Sequence, residues 1–268
     1  IWSCPPTSTL KHGGSLYGIA DKVRRGYFDW ISNECSSWGI YLTPIYPSYS
    51  SYHKYWPESH ALVDEELGGF EGLIDLVGAL KEAGGKLMLD LVFNHTGITH
   101  PFFLDILKQG AKSDYLQFYR GIPDLDKAKI TIPILDPSRS ARDQCEVDSS
   151  LNLIVQERYV FAGLGCNVHF FERSVEGNFF TLVDSSRKPN YECWWDLPDL
   201  PELATSNPSV KSYLFNSAAL YIDLGISSFR LDVPDYLDEA DEFWAEFREY
   251  MSSYILSNKI EDSLFLAS

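Results

Sequence analysis

The sequence is short of positive charge. Its 22 Lys and Arg residues stand against 38 Asp and Glu, a formal net charge of −16 over 268 residues. That balance excludes the basic face that nucleic acid or an anionic membrane surface calls for, and it leaves a neutral ligand compatible. Cysteine is sparse and scattered: Cys4, Cys35, Cys145, Cys166 and Cys193 form no CxxC pair and no zinc spacing. The odd count suits reduced thiols and a cytoplasmic protein; one or two disulfides, and secretion, stay open. No apolar run is long enough to span a bilayer. The start, Ile1-Trp2-Ser3-Cys4-Pro5-Pro6, has no Met and lacks the basic stretch and apolar core of a signal peptide.

What is abundant is apolar. Hydrophobic residues make up 45% of the chain and aromatics 15%, with 16 Tyr, 16 Phe and 7 Trp. This suffices for one large domain, or for a core carrying an inserted module. Most of the rings read as packing, although ring faces also suit the apolar faces of sugars.

Residues 1–20 read as a Pro-, Ser- and Gly-rich loop. Phe28, Ile31, Cys35 and Trp38 predict a helix over 27–38, stopped by Gly39. A buried strand is expected over 40–46, followed by a loop dense in Tyr46, Tyr49, Tyr52, Tyr55 and Trp56. Phe70, Leu73, Ile74, Val77 and Leu80 form a helical stripe closed by Gly84-Gly85. Residues 86–93 read as a strand buried on both faces, running into Asn94-His95. From about 96 to about 206 the pattern is irregular, aromatic and turn-rich, too long for plain loop and better read as an inserted subdomain. Asn207-Pro208 predicts a helix start, with Gly225 as its stop. A strand follows over 226–233. Next comes a helix led by Asp238-Glu239 and Asp241-Glu242, which suit its dipole, with Phe243, Phe247, Tyr250, Met251 and Tyr254 on one side. A last strand is expected at 263–267.

Helix and strand thus alternate, which argues for an α/β fold with a parallel sheet. Periodicity leaves a (β/α) barrel and a doubly wound sheet open. In both, chemistry gathers where strands end, and those ends carry Tyr46, the stretch from Asp90 to His95, and Arg230 with Asp232. Arg230 and Asp232 lie two apart on one strand and so on the same side. The guanidinium is expected to keep Asp232 ionised and its pKa low, which suits a carboxylate that attacks an electrophile. A purely structural ion pair is the alternative.

Four stretches, in order and in spacing, resemble the signatures of the α-amylase family, glycoside hydrolase family 13: Gly39 to Pro47, Asp90-Leu91-Val92-Phe93-Asn94-His95, Leu200-Pro201-Glu202-Leu203-Ala204 and Phe229-Arg230-Leu231-Asp232-Val233. Asn190 to Trp195 and Asp238 to Phe247 are most similar to the neopullulanase, cyclomaltodextrinase and maltogenic amylase branch. The resemblance implies a (β/α)8 TIM barrel, present only in part from about strand two to strand five. Residues 1–95 would be its first part, 96–206 a domain B inserted after strand three, and 207–268 the barrel continued. It implies retaining cleavage of α-1,4 glucosidic bonds, with α-1,6 open, in maltooligosaccharides, starch or cyclodextrins. Asp232 matches the nucleophile and Arg230 the arginine that orients it. His95 matches a histidine that hydrogen-bonds the sugar, Tyr55 a tyrosine that stacks beneath it, and Asp90 a buried aspartate supporting the site. Tyr236 is expected towards the acceptor subsites. Trp194-Trp195 reads either as cleft lining or as packing in domain B. For Asn94 a calcium ligand and a structural support both stay open, so no metal or cofactor is assigned.

The sequence departs from the family at Ser15, Trp56, Ala204 and Pro234. The family's glutamate acid, at the end of the fifth strand, matches no residue, because Leu264 to Ser268 end at or before it. The chain therefore reads as a fragment, expected to be inactive alone, of a protein whose branch often forms homodimers. A transglycosylase of the same fold and a non-catalytic protein that binds glucan or a protein partner are the alternatives. His12, His60, His100 and His169 read as loop residues rather than ligands.

Overall fold

The computed structural model describes residues 14–35, 37–48, 53–134, 144–148, 153–157, 169–171, 179–184, 188–226, 228–260 and 264–268. The helices are α1 (Leu16–Arg24), α2 (Asp29–Glu34), α3 (Gly69–Glu82), α4 (Pro101–Gln109), α5 (Pro208–Asp223) and α6 (Ala240–Ser257). The strands are β1 (Trp38–Leu42), β2 (Gly85–Leu91), β3 (Ile130–Ile134), β4 (Gln144–Asp148), β5 (Leu153–Glu157), β6 (His169–Phe171), β7 (Phe180–Asp184), β8 (Ser228–Leu231) and β9 (Phe265–Ala267). Two compact units result. Residues 1–47, 60–93 and 211–268 form the first, and 48–59 with 94–210 the second.

The first unit is built on a parallel sheet of order β1-β2-β8-β9. The alternation of the strands sorts its two faces. Ile40, Leu42, Leu87, Leu89, Leu91, Phe229 and Leu231 are buried on one. The other carries Tyr41, Met88, Asp90, Ser228 and Arg230, more polar and only partly covered. The expectation that the 86–93 strand is apolar and buried on both faces is thus corrected: Lys86 is exposed and Met88 half-buried.

Helix α3 buries Leu73, Leu76, Ala79 and Leu80. Its inward stripe is therefore rotated from the expected one, and Ile74 is 53% exposed. Gly225, with φ of 90°, closes the turn after α5 in a conformation open to glycine without strain. Asn207 caps α5 as predicted, its Oδ1 accepting from the Ser209 amide at 2.8 Å. On α6, Phe243, Phe247 and Met251 are buried, and Phe93 packs among them and stacks on Trp244 at 6.1 Å and 12°. These aromatic contacts hold α6 against the chain just after β2.

Two expectations near the start fail. Residues 16–20 are not loop: they open α1, whose N-cap Ser15 accepts from the Gly18 amide at 3.2 Å and whose Leu16, Ala20 and Val23 are buried. The helix expected over 27–38 spans only Asp29–Glu34. Trp38 instead begins β1 and stacks on Phe28 at 6.0 Å. Gly85 makes this possible, since a Cβ there would lie 2.7 Å from the Trp38 ring.

The second unit holds the parallel pair β3-β7, the antiparallel sheet β4-β5-β6 and helix α4. His169 lies in β6 rather than in a loop, and His12 falls outside the described residues. His100 is no plain loop residue either: it is buried and caps α4, its Nδ1 accepting from the Phe102 amide.

Phe93→Ala is expected to cost about 3–5 kcal/mol, the range for deleting a buried ring. Urea unfolding followed by circular dichroism measures this. A loss below about 1 kcal/mol, in the range of a surface change, would contradict the packing role given to Phe93.

Candidate active site

The register of the first sheet creates its polar group. Asp90 on β2 pairs with Arg230 on β8, so two oppositely charged side chains face each other across adjacent strands. Arg230 Nη1 donates to both Asp90 oxygens, at 3.1 and 3.2 Å. The same nitrogen donates to Asp232 Oδ1, in a short contact. Asp90 is held from the other side as well. The Tyr41 hydroxyl donates to its Oδ2 at 2.5 Å, and the Tyr46 hydroxyl donates to its backbone carbonyl at 3.0 Å. Asp90 is 2% exposed and Asp232 9%.

The turn after Asp232 is unusual. Val233 has φ of 41° and ψ of 53°, a costly conformation for a β-branched residue. Hydrogen bonds hold it there: Tyr236 N–H to the Val233 carbonyl at 3.1 Å, and Trp244 Nε1–H to the Pro234 carbonyl at 3.0 Å. The Asp232 amide donates to the Leu91 carbonyl at 3.0 Å. Tyr236, on this turn, is 56% exposed.

A different group forms in the second unit. His95, 2% exposed, donates from Nε2 to the Tyr55 carbonyl at 3.0 Å. Its Nδ1 lies 3.2 Å from the Asn94 amide. Trp194 stacks on the His95 ring at 6.1 Å and 20°. Tyr55 and His95 therefore meet through backbone and ring, not through two side chains.

Residues 6–266 match the family model for the alpha amylase catalytic domain. The chain belongs to the alpha-amylase family. Similar proteins include a cyclomaltodextrinase of Geobacillus thermopakistaniensis (strain MAS1), 30% identical over 97% of this chain and 34% of its own length. Neopullulanase 2 of Thermoactinomyces vulgaris is 28% identical over 90% of this chain and 30% of its own. Among solved structures, a debranching enzyme from Nostoc punctiforme superposes with a TM-score of 0.63 at 25% identity, over 97% of this chain and 40% of that one. The chain thus spans about a third of the length of these curated relatives. For an alpha-amylase catalytic domain the architecture is the (β/α)8 barrel, and the described parallel strands of the first unit form an unclosed four-stranded sheet.

The electrostatics of this family member correct one expectation. Asp232 is not held at a low pKa. Burial raises its carboxyl above the usual range, and the Arg230 guanidinium offsets only part of that. One guanidinium serves two carboxylates, so each receives less than a whole counter-charge. The sign follows: with the folded pKa raised, the stability contribution is present at low pH and is lost as pH rises through the folded value. Ionised Asp232 is thus kept at a cost in stability. Arg230 itself is moved up: burial lowers its pKa, but Asp90 and Asp232 together raise it by more.

Several polar roles escaped the sequence. Tyr41 sits on the same sheet face as Asp90, which the strand period signals only once the register is known. His60 is a buried strut rather than a loop residue: its Nε2 lies 2.7 Å from the Val92 carbonyl and its Nδ1 3.2 Å from the Tyr213 hydroxyl. Among the described residues, no group of three or more His, Cys, Asp or Glu is placed to hold a metal, and no helix is long and apolar enough to cross a membrane.

Burial lowers the His95 pKa from 6.5 to about 4. A depressed pKa contributes stability above about pH 6.5, lost as pH falls to about 4. The loss is at most about 3 kcal/mol, from 1.36 kcal/mol per pH unit. Urea unfolding at pH 7 and at pH 4 is expected to show it, and His95→Gln to remove that share of the pH dependence. A histidine NMR titration with a His95 midpoint near 6.5 would contradict the burial argument.

Proposed function

We propose that this chain carries the nucleophile half of a retaining α-glucan hydrolase acting on maltooligosaccharides, starch or cyclodextrins. The observation that carries the proposal is the three-residue group on adjacent strands. Arg230 bridges Asp90 and Asp232, and Asp232 stands at a strand's end on a strained turn. Retaining cleavage passes through a glycosyl ester. In this reading an Asp232 oxygen attacks the anomeric carbon, the C–O bond to the leaving sugar breaks, and water later releases the ester. Arg230 orients the carboxylate. A carboxylic acid must also protonate the leaving oxygen, and the reading assigns it to no residue of this chain.

The resemblance to the family supplies the sugar-binding residues. In this reading residues 96–206 are domain B, and 1–95 and 207–268 are parts of the barrel. Tyr55 stacks under the sugar. His95 hydrogen-bonds it, exchanging the Tyr55 carbonyl for a hydroxyl. Tyr236, exposed beyond Asp232, lies towards the acceptor and bears on whether water or a second sugar takes the glycosyl unit. Transfer to a sugar acceptor is the second reading. Its support is this exposed ring at a position following the nucleophile. The reading also places the protein in the cytoplasm, consistent with the free thiols of Cys35 and Cys193.

Maltoheptaose and β-cyclodextrin, incubated with the protein and analysed by chromatography, separate these outcomes. Shorter products mean hydrolysis and longer ones transfer. Asp232→Asn, made in a protein that carries this chain together with the acid, is expected to lower turnover by about 10⁴-fold or more, as loss of a covalent nucleophile does elsewhere. Unchanged turnover in Asp232→Asn would remove the proposed mechanism.

A further inference from the structure

The stack on His95 continues outward. Trp195 lies on Trp194 at 5.5 Å and 13°, as Trp194 lies on His95 at 6.1 Å and 20°. Exposure rises along the three rings: His95 is buried, Trp194 half-buried and Trp195 76% exposed. Trp194 stacks on one side of Trp195, and the ring as a whole stays largely exposed. A tryptophan so open to water forgoes the burial that most of its area would gain.

The backbone holds it there against a second cost. Trp195 has φ of 52° and Asp196 φ of 57°, both in the left-handed region that residues with a Cβ enter unfavourably. Such conformations persist where the surroundings over-determine them. Here the base of the loop is tied at several points. Trp194 N–H donates to the Leu200 carbonyl at 3.0 Å, Leu197 N–H to the Trp194 carbonyl at 2.9 Å, and Ile98 N–H to the Asp199 carbonyl at 2.8 Å. The Tyr191 hydroxyl donates to the Pro198 carbonyl at 2.6 Å, and Lys188 pairs with Asp196 at 2.6 Å. Packing alone would turn the ring inward. The tethers instead present a flat, exposed aromatic face in ring contact with Trp194, which stacks on His95.

We propose that Trp195 is an outer sugar platform, on which a pyranose ring of an α-glucan chain stacks by its apolar face, extending the binding surface that begins at His95. This resolves the pair Trp194-Trp195 by residue: Trp194 is the spacer and Trp195 the face that meets ligand. The inference rests on the α-glucan reading. It adds that chain length is recognised in the second unit, since only a sugar chain of several units reaches past the inner group to the outer ring.

Calorimetric titration of the 268-residue chain with maltoheptaose and with maltose tests it. The wild type is expected to bind maltoheptaose more tightly than maltose. Trp195→Ala is expected to weaken maltoheptaose binding about tenfold, the scale of one aromatic stacking contact, and to bring the two affinities together. Trp195→Phe, which keeps a ring, is expected to restore most of the difference, and a circular dichroism spectrum equal to wild type shows that the fold is intact. If wild type binds maltoheptaose and Trp195→Ala binds it equally well, the platform is wrong while the α-glucan reading stands. If wild type binds neither sugar, both fall together.

Discussion

One guanidinium between two buried carboxylates sets the terms for the first unit. Arg230 donates to Asp90 on the neighbouring strand and to Asp232 on its own. A buried charge without a partner would be far too costly to keep, so the register that brings Asp90 beside Arg230 is a condition for the rest. That register depends on β2 and β8 lying side by side, with their apolar residues on the face away from the charges. The Tyr41 and Tyr46 hydroxyls then fix Asp90. Asp90 anchors the arginine, and the arginine sets the position of Asp232.

The arrangement is not the cheapest one available to the chain. Burial leaves the Asp232 carboxyl harder to ionise than a free one, and the following residue, Val233, is held in a left-handed conformation. Both are costs in stability, and they fall on adjacent residues at the end of β8. In the second unit the same logic applies to the loop of Trp194 to Asp199, where backbone tethers maintain an exposed ring in a strained turn.

Much of this was legible in the sequence, and the physical reasons differ residue by residue. The strands at Leu87 to Leu91 and at Phe229 to Leu231 could be read because short, largely apolar runs between helical stretches mark them. Arg230 and Asp232 share a side by the strand period alone. Asn207 as a cap follows from local chemistry. The failures are also local in origin. Helix α1 was hidden because the short stretch after Ser15 follows a Gly- and Pro-rich segment, although a serine before Leu16 was the available signal. Trp38 fits a helical spacing with Phe28 and Ile31, yet tertiary stacking over Gly85 draws it into β1. The role of Tyr41 depends on which strands are neighbours, which no single-strand pattern states. The direction of the Asp232 shift depends on burial outweighing a shared guanidinium, a balance of two large terms that sequence does not quantify.

The central claim is that Asp232 forms a bond to sugar carbon. Covalent capture tests it directly, using an α-glucosyl fluoride with a second fluorine on the sugar ring. Fluoride leaves without being protonated, so the first step needs no acid from the protein, and the ring fluorine slows hydrolysis of the ester. After proteolysis, mass spectrometry is expected to find one fluoroglucosyl group on the peptide containing Asp232, and none when Asp232 is replaced by Asn. An ester on another carboxylate, or an adduct that persists in Asp232→Asn, would contradict the account.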